Sequence, residues 1–168
     1  MPQDEHKKHA GGRKARVHVI TVSDTRTAAT DSSGAAVRDA LGREGHLVAG
    51  HEILKDEPEA IARRVREVSK SGSADAVLLN GGTGISRRDS TFEAVDALFD
   101  RRIPGFGELF RFLSYREIGS AAMLSRAAAG LVGETLVFLV PGSTDAVRLA
   151  MRSLIIPELA HALWELKR

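Results

Sequence analysis

An apolar run that stops abruptly at a glycine-rich turn is the feature that most constrains the fold of this chain. The run belongs to a strand predicted at residues 74–80, and Gly81, Gly82, Thr83 and Gly84 follow it. Open α/β folds bind ligands at such turns, at the carboxyl edge of a parallel sheet. The glycines let backbone N–H groups approach an anion, and Thr83 adds a hydroxyl. The turn therefore predicts a phosphate cradle within an α/β fold.

Charged residues follow this turn within a few positions. Arg87 and Arg88 could supply positive charge for phosphate, and Asp89 could hold a divalent cation. The same residues could also start the next helix, with Asp89 or Ser90 as its cap and Glu93 completing a capping box with Ser90, and both interpretations can hold together. Capping leaves three glycines within four positions unexplained, so we favour a functional turn.

Apolar periodicity along the rest of the chain predicts alternating strands and helices. Strands are expected at residues 17–22 and 47–54, and helices begin at Ser32 or Ser33, after Asp56, and at Thr91. This order is typical of an α/β protein whose mostly parallel sheet carries helices on both faces. The rest of the predicted pattern is a loop at 103–107, a helix at 108–112, a hairpin of 127–132 with 135–140 whose first arm could instead be helical, and a final helix bent or divided at Pro157.

Two further strand ends carry polar residues. Ser23 and Asp24 follow the first strand, and residues 141–143 (Pro-Gly-Ser) follow the strand at 135–140. Asp56 follows the second strand, although its position before Pro58 favours a helix cap. Since parallel strands end at one sheet edge, these residues are candidates for the same site.

Length and charge limit the functional classes. The 168 residues suit one domain at 17–168, preceded by a flexible basic tail at 1–16. The tail holds five of the 24 basic residues and two of the 22 acidic ones, which leaves 19 basic and 20 acidic residues. A nearly neutral body argues against nucleic-acid binding. The chain has no cysteine, signal peptide or apolar run of membrane-spanning length, so we expect a cytoplasmic protein with no membrane partner.

The predicted chemistry is phosphoryl or nucleotidyl transfer, because a phosphate cradle lies beside carboxylates suited to Mg²⁺. The turn lacks the Lys-Ser/Thr of a P-loop and the spacing of a dinucleotide fingerprint, and no nucleophile elbow is visible. From the residues alone the prediction stops at a phospholigand-binding α/β domain.

Six ordered motifs carry a resemblance to a known family. They are Thr-Val-Ser-Asp-Thr (21–25), Asn-Gly-Gly-Thr-Gly (80–84), Arg-Asp-Ser-Thr (88–91), Gly-Phe-Gly-Glu (105–108), Leu-Ser-Arg (124–126) and Pro-Gly-Ser (141–143). In order and approximate spacing the chain resembles the MoaB/MogA family of molybdenum cofactor biosynthesis, and within it the MoaB branch. The resemblance implies a three-layer α/β/α molybdopterin-binding fold that assembles as a trimer or a pair of trimers.

The resemblance also implies an activity, which is Mg²⁺-dependent transfer of AMP from ATP to the terminal phosphate of molybdopterin, with release of pyrophosphate. The product would pass to a metal-insertion protein. The family's two catalytic, Mg²⁺-binding carboxylates fall on Asp56 and Asp89. The implied substrate-binding residues are Ser23, Asp24, Gly81, Gly82, Thr83, Gly84, Glu108, Ser125, Arg126, Pro141, Gly142 and Ser143. The alternative functions are a non-catalytic molybdopterin carrier and a scaffold without a small ligand.

The helix predicted at 108–112 is apolar on more than one side. Leu109, Phe110, Phe112 and Leu113 cannot all face one core. We therefore expect a contact between subunits here, with an all-round core helix as the alternative.

Overall fold

The structure is a computed structural model that describes residues 12–168, so residues 1–11 of the predicted tail lie outside it. Six strands form one sheet in the order β2-β1-β3-β6-β5-β4. They are β1 (Arg16–Val22), β2 (Leu47–Leu54), β3 (Ala76–Asn80), β4 (Arg101–Arg102), β5 (Ala128–Val132) and β6 (Thr135–Val140). The first three strands and β6 are parallel, whereas β5 and β4 run antiparallel at one edge. The predicted mostly parallel sheet is confirmed.

Helices cover both faces of the sheet. They are α1 (Ser32–Arg43), α2 (Pro58–Ser71), α3 (Thr91–Asp96), α4 (Pro104–Ile118), a 3₁₀ helix (Gly119–Leu124), α5 (Thr144–Ala150), a π-helical segment (Met151–Ile155) and α6 (Ile156–Leu166). Because side chains alternate along a strand, Leu78 packs with the cluster of α1, α4, α5 and α6, and Leu79 packs with that of α2 and α3. The predicted three-layer α/β/α architecture follows from these two cores.

Strands β2 and β3 lie on opposite sides of β1, and this arrangement creates a crevice at the edge of the sheet. From β1 the chain passes through α1 to β2 on one side, and returns through α2 to β3 on the other. The connections of neighbouring strands diverge at such a point, and a crevice opens beyond the carboxyl ends of the strands. The polar turns after β1, β3 and β6 meet there.

Several local predictions need correction. The first helix is capped by Asp31, whose side chain accepts a hydrogen bond from Gly34 N, and not by Ser32 or Ser33. The residues predicted as a loop at 103–107 contain the first turn of α4, because Pro104 fits the start of a helix, where its missing N–H costs nothing. The predicted hairpin is confirmed, and a π-helical segment leads into α6 just before Pro157.

None of the helices in residues 12–168 combines the length and apolar character that crossing a bilayer requires.

Candidate functional site

A cavity of about 570 Å³ lies at the carboxyl edge of the sheet, where β1, β3 and β6 end side by side. The register explains this convergence, because Thr21 pairs with Asn80 and Asn80 pairs with Val140. The volume is in the range of small-molecule sites, roughly 300–1,000 Å³. Most of the predicted site residues line the cavity: Ser23, Gly81, Gly82, Thr83, Gly84, Asp89, Ser125, Pro141, Gly142 and Ser143.

Gly81 begins the glycine turn in a conformation that other residues rarely adopt. Its φ is 107°, and a β-carbon there would lie 2.2 Å from the carbonyl oxygen of Val22. Its N–H donates to the carbonyl of Val140 over 3.1 Å. Gly81 is therefore required because the chain must pass between the ends of β1 and β6, a packing reason that the sequence did not reveal.

Asp89 reaches the cavity from the far end of the glycine turn. One of its oxygens, Oδ2, accepts hydrogen bonds from the N–H and the hydroxyl of Ser86, at 3.1 and 2.5 Å. Gly84 makes room for this carboxylate, since a β-carbon there would lie 2.6 Å from the same oxygen. The backbone thus presents the Asp89 carboxylate to the cavity.

Asp56 is buried behind the glycine turn and does not cap α2. Its Oδ1 accepts hydrogen bonds from the hydroxyls of Ser90 and Thr91, at 2.9 and 3.0 Å. Glu57 occupies the N-cap position of α2, without a side-chain cap bond. The capping interpretation of Asp56 is therefore wrong, and Asp56 joins the loop after β2 to the loop after β3.

The capping box predicted for α3 is not formed. Ser90 occupies the N-cap position, but its hydroxyl donates to Asp56 and makes no cap bond. Glu93, the other predicted member, forms an ion pair with Arg126. The hydrogen bond from Arg126 also lowers the pKa of Glu93. Both side chains serve contacts with residues far away in the sequence.

Asp24 lies outside the cavity and pairs with Arg88. The Arg88 guanidinium donates to both carboxylate oxygens, at 2.8 and 3.0 Å, and its Nη2 also reaches Glu57 at 3.3 Å. Hydrogen bonds from Arg88, and then from the backbone N–H of Asp56, hold the pKa of Asp24 below its ordinary value. Arg88 therefore fastens the glycine turn to the turn after β1, and its charge is largely engaged.

Arg126 and Glu108 also lie outside the cavity lining. Arg126 supports the glycine turn by donating to the carbonyls of Thr83, at 2.9 Å, and Gly84, and its guanidinium lies 5.0 Å from the centre of the Phe92 ring. Glu108 is exposed on α4. The structure thus brings most of the predicted residues together at the cavity and leaves Asp24, Asp56, Glu108 and Arg126 around or away from it.

The cavity contains residues that the sequence analysis did not predict as site residues. Phe110 and Ile118 of α4 and Leu124 of the 3₁₀ helix form an apolar wall, Ser114 of α4 adds a hydroxyl-bearing side chain, and Arg26 lies at the turn after β1. Arg26 lies two residues after the predicted Asp24, so the polar turn itself was a signal. The apolar wall could not be recognised, because its residues have the spacing of any helix core.

Ser125 lies in the cavity wall with an unsatisfied hydroxyl. Its Oγ is buried, and within residues 12–168 it has no hydrogen-bond partner. A buried hydroxyl without a partner costs about 1–3 kcal/mol. A ligand atom in the cavity could supply the missing partner, which makes Ser125 a candidate binding residue.

Each of the two carboxylates has one oxygen that could serve as a metal ligand. Within the described chain, Asp89 Oδ1 and Asp56 Oδ2 accept no hydrogen bond, whereas the other oxygen of each is bonded. Mg²⁺ is commonly bound through one or two carboxylates together with substrate phosphates and water. No group of three or more potential metal ligands occurs in residues 12–168, so phosphate would have to complete such a site.

Comparisons with known proteins agree in family and fold. The family profile described as "Probable molybdopterin binding domain" matches residues 18–161. Molybdenum cofactor biosynthesis protein B of Bacillus subtilis is 53% identical over 169 residues, covering 100% of this chain and 99% of that protein. The crystal structure of a Molybdenum cofactor biosynthesis protein B has a TM-score of 0.90 at 52% identity, covering 93% of this chain and 98% of the other. The tungsten cofactor synthesizing protein MoaB from Pyrococcus furiosus has a TM-score of 0.82 at 37% identity, covering 94% and 100%.

Proposed function

The chain belongs to the family of molybdopterin-binding domains in molybdenum cofactor biosynthesis, and from this premise we propose that it transfers AMP from ATP to the terminal phosphate of molybdopterin. The family resemblance inferred from the six motifs is confirmed. The observation that carries the proposal is the pair Asp56 and Asp89, which lie against Gly82 and Gly84 of the glycine turn, each with one carboxylate oxygen that accepts no hydrogen bond within residues 12–168.

In the proposed reaction an oxygen of the molybdopterin phosphate attacks the α-phosphorus of ATP. The bond between that phosphorus and the oxygen bridging to the β-phosphate breaks, and pyrophosphate leaves with the electron pair. The attacking group is a phosphate monoester, largely ionised at pH 7 because its second pKa is about 6. The protein therefore needs no general base, and positioning and charge stabilisation account for its contribution.

Each part of the cavity has a role in this scheme. The glycine turn and residues 141–143 present backbone groups and the Ser143 hydroxyl to phosphate oxygens, and the apolar wall with Phe110 contacts the pterin. Asp56 and Asp89 would hold Mg²⁺, which when bound neutralises the charge that develops on the phosphates.

The first test is incubation of the protein with molybdopterin, ATP and Mg²⁺, followed by chromatography for adenylylated molybdopterin and pyrophosphate. We expect product from the wild type and none from Asp89→Asn, which keeps the side-chain size but loses the charge. Asp39→Asn, at an exposed position on α1, is the matched control and should keep full activity. Full activity of Asp89→Asn would remove Asp89 from the mechanism.

A non-catalytic molybdopterin carrier is the second candidate, and one observation favours it. Asp56 accepts hydrogen bonds from Ser90 and Thr91, so a structural role alone could account for its presence. Molybdopterin that binds, with no pyrophosphate formed from ATP, would support the carrier.

We also propose that α4 forms a contact between subunits of a trimer or a pair of trimers. Leu109, Phe112, Tyr115 and Ile118 are all more than half exposed on this helix, as is Met123 of the 3₁₀ helix. Monomeric proteins rarely expose contiguous apolar patches of this kind. The face continues to the cavity wall through Ile118, so assembly would also shield the site from water.

A further inference from the structure

Arg26 is the only cationic side chain among the described residues that line the cavity, and Asp89 is the only anionic one. The Arg26 side chain is 26% exposed, so it is partly withdrawn from water. A partly desolvated guanidinium interacts more strongly with an anion than an exposed one does. The position of this charge is therefore informative about the ligand.

The guanidinium of Arg26 is held in place by neutral acceptors and one buried carboxylate. Its Nη2 donates to the carbonyl of Gly142 over 3.0 Å, and its Nη1 donates to the hydroxyl of Ser33. Asp31 Oδ1 lies 3.5 Å from Nη1. These contacts come from the turn after β6 and from the start of α1, so the two elements fix the side chain between them.

A buried hydrogen-bond network in turn fixes Ser33 and Asp31. The Ser33 hydroxyl donates to Asn80 Oδ1 over 2.6 Å. Asp31 accepts a hydrogen bond from Thr21 Oγ1 over 2.8 Å and lies 2.9 Å from His51 Nε2. Side chains held on several sides by buried bonds have little freedom to move. The network therefore fixes the position of Arg26 through Ser33 and Asp31, which are themselves held by buried hydrogen bonds.

The charge on Asp31 is maintained by this network. Burial by itself raises the pKa of Asp31, but the hydrogen bonds from Gly34 N, Thr21 and His51 and the charge of His51 outweigh it, so the pKa lies below its ordinary value. An ionised Asp31 next to Arg26 keeps the guanidinium oriented.

Arg26 still has donors to offer. A guanidinium carries five N–H bonds, and within residues 12–168 that of Arg26 donates to Ser33 and Gly142 only. Arg126 is the internal contrast, because its Nε, Nη1 and Nη2 all donate to protein groups and it does not line the cavity. A purely structural arginine resembles Arg126, whereas Arg26 keeps hydrogen-bonding capacity on the cavity side of the fold.

We propose that Arg26 binds a phosphate group of one of the two substrates, and that Asp31 and Ser33 are positioning residues for it. The inference rests on the proposed function, which supplies phosphate from two substrates: the terminal phosphate of molybdopterin and the β- and γ-phosphates of ATP. Arginine suits either, because its planar donors match two phosphate oxygens at once.

The test compares binding of two ligand pairs by isothermal titration calorimetry in the presence of Mg²⁺. One pair is molybdopterin and its dephosphorylated form, and the other is ATP and adenosine. Wild type should prefer the phosphorylated member of each pair. In Arg26→Gln this preference should fall about tenfold or more in one pair, because a charge-assisted contact is lost. The pair affected identifies the phosphate that Arg26 holds.

Two further variants separate positioning from general damage. Ser33→Ala, which removes one support of Arg26, should lower the preference in the same pair by a smaller factor. Arg38→Gln, at an exposed position on α1, is the matched control and should leave both preferences unchanged. Circular dichroism melting of each variant checks that the fold is intact.

The experiments distinguish a failure of the Arg26 proposal from a failure of the proposed AMP transfer. Unchanged preferences in Arg26→Gln, an equal loss of affinity for both members of a pair, or a wild type without any preference would overturn the role of Arg26. A wild type that transfers no AMP, together with a lowered preference in Arg26→Gln, would overturn the adenylyl transfer and leave Arg26 as a phosphate-binding residue.

Discussion

The carboxylate of Asp56 lies directly against Gly82, so closely that a β-carbon on Gly82 would come within 2.5 Å of Asp56 Oδ2. The two residues are on different loops, and Gly82 lines the cavity that Asp56 supports from behind. The glycine turn and the carboxylate thus form one structural unit.

Gly82→Ala should destabilise the protein strongly. The φ of Gly82 is +64°, and the added carbon would also lie 2.1 Å from Thr91 Oγ1. The backbone conformation alone costs about 1–2 kcal/mol for a residue with a side chain, and the steric conflict adds to it. Gly105→Ala is the control, because a β-carbon there meets nothing within 4 Å. Urea unfolding measures both free energies, and equal stability of the two variants would contradict this packing.

Asp56→Ala should be less stable than Asp56→Asn, and neither variant should transfer AMP. Alanine leaves the hydroxyls of Ser90 and Thr91 without their acceptor, and each buried unsatisfied group costs about 1–3 kcal/mol. Asparagine retains an acceptor oxygen but no charge, so it should fold well and fail to transfer AMP. Urea unfolding and the chromatographic assay separate the two effects. An active Asp56→Asn would show that the charge is not needed to hold Mg²⁺.

The ionised carboxylate of Asp31 should stabilise the folded protein at neutral pH, and this contribution should shrink in acid. Its pKa in the folded protein lies below the ordinary value of 3.8, so the folded state binds this proton less readily than the unfolded state does. The contribution is therefore present above about pH 4 and is lost as the pH falls through the folded pKa. The guanidinium of Arg26 and the imidazole of His51 are the groups that face Asp31 in this region.

The measurement is the free energy of unfolding of the wild type and Asp31→Asn between neutral pH and about pH 2. Asparagine keeps the N-cap. Other carboxylates titrate alike in both proteins and cancel in the difference. The difference should be largest near neutral pH and shrink below about pH 4. A difference that does not change with pH would mean that the charge of Asp31 contributes nothing.

Phe112→Ser should weaken the proposed assembly. Phe112 is 53% exposed at the centre of the apolar face of α4, and loss of a buried aromatic side chain from an interface typically costs more than 1 kcal/mol. Size-exclusion chromatography with light scattering should show a smaller species than the wild type. Leu47→Ser, at another exposed apolar position, should leave the size unchanged. A monomeric wild type would refute the subunit contact.

Much of the fold could be predicted because its signals are local. The β-branched run of residues 17–22 and the fully apolar β6 have strand character whatever surrounds them, and turn residues mark where they end. The location of the site followed from the same signals, since Gly81 to Gly84 and residues 141–143 follow buried strands. The alternating order of strands and helices then predicted a parallel sheet with two covered faces.

Side-chain partners could not be predicted in this way. Asp56 had the sequence position of a helix cap and became the acceptor for Ser90 and Thr91, and Glu93 left its expected capping box for Arg126. In each case the side chain bonds a partner more than thirty residues away in the chain and does not form the expected local cap. Only packing brings such partners within bonding distance, because a local pattern carries no information on the distance between loops.

The sequence by itself determined the strands, the covered sheet and the turns that form the candidate site, because periodicity and backbone preference act over a few residues. The tertiary structure alone decided which turns became neighbours, that Arg26 is the cation of the cavity, and that Asp31 and Ser33 hold it. Strand order and register set these distances, and they depend on how the two apolar cores close around the sheet.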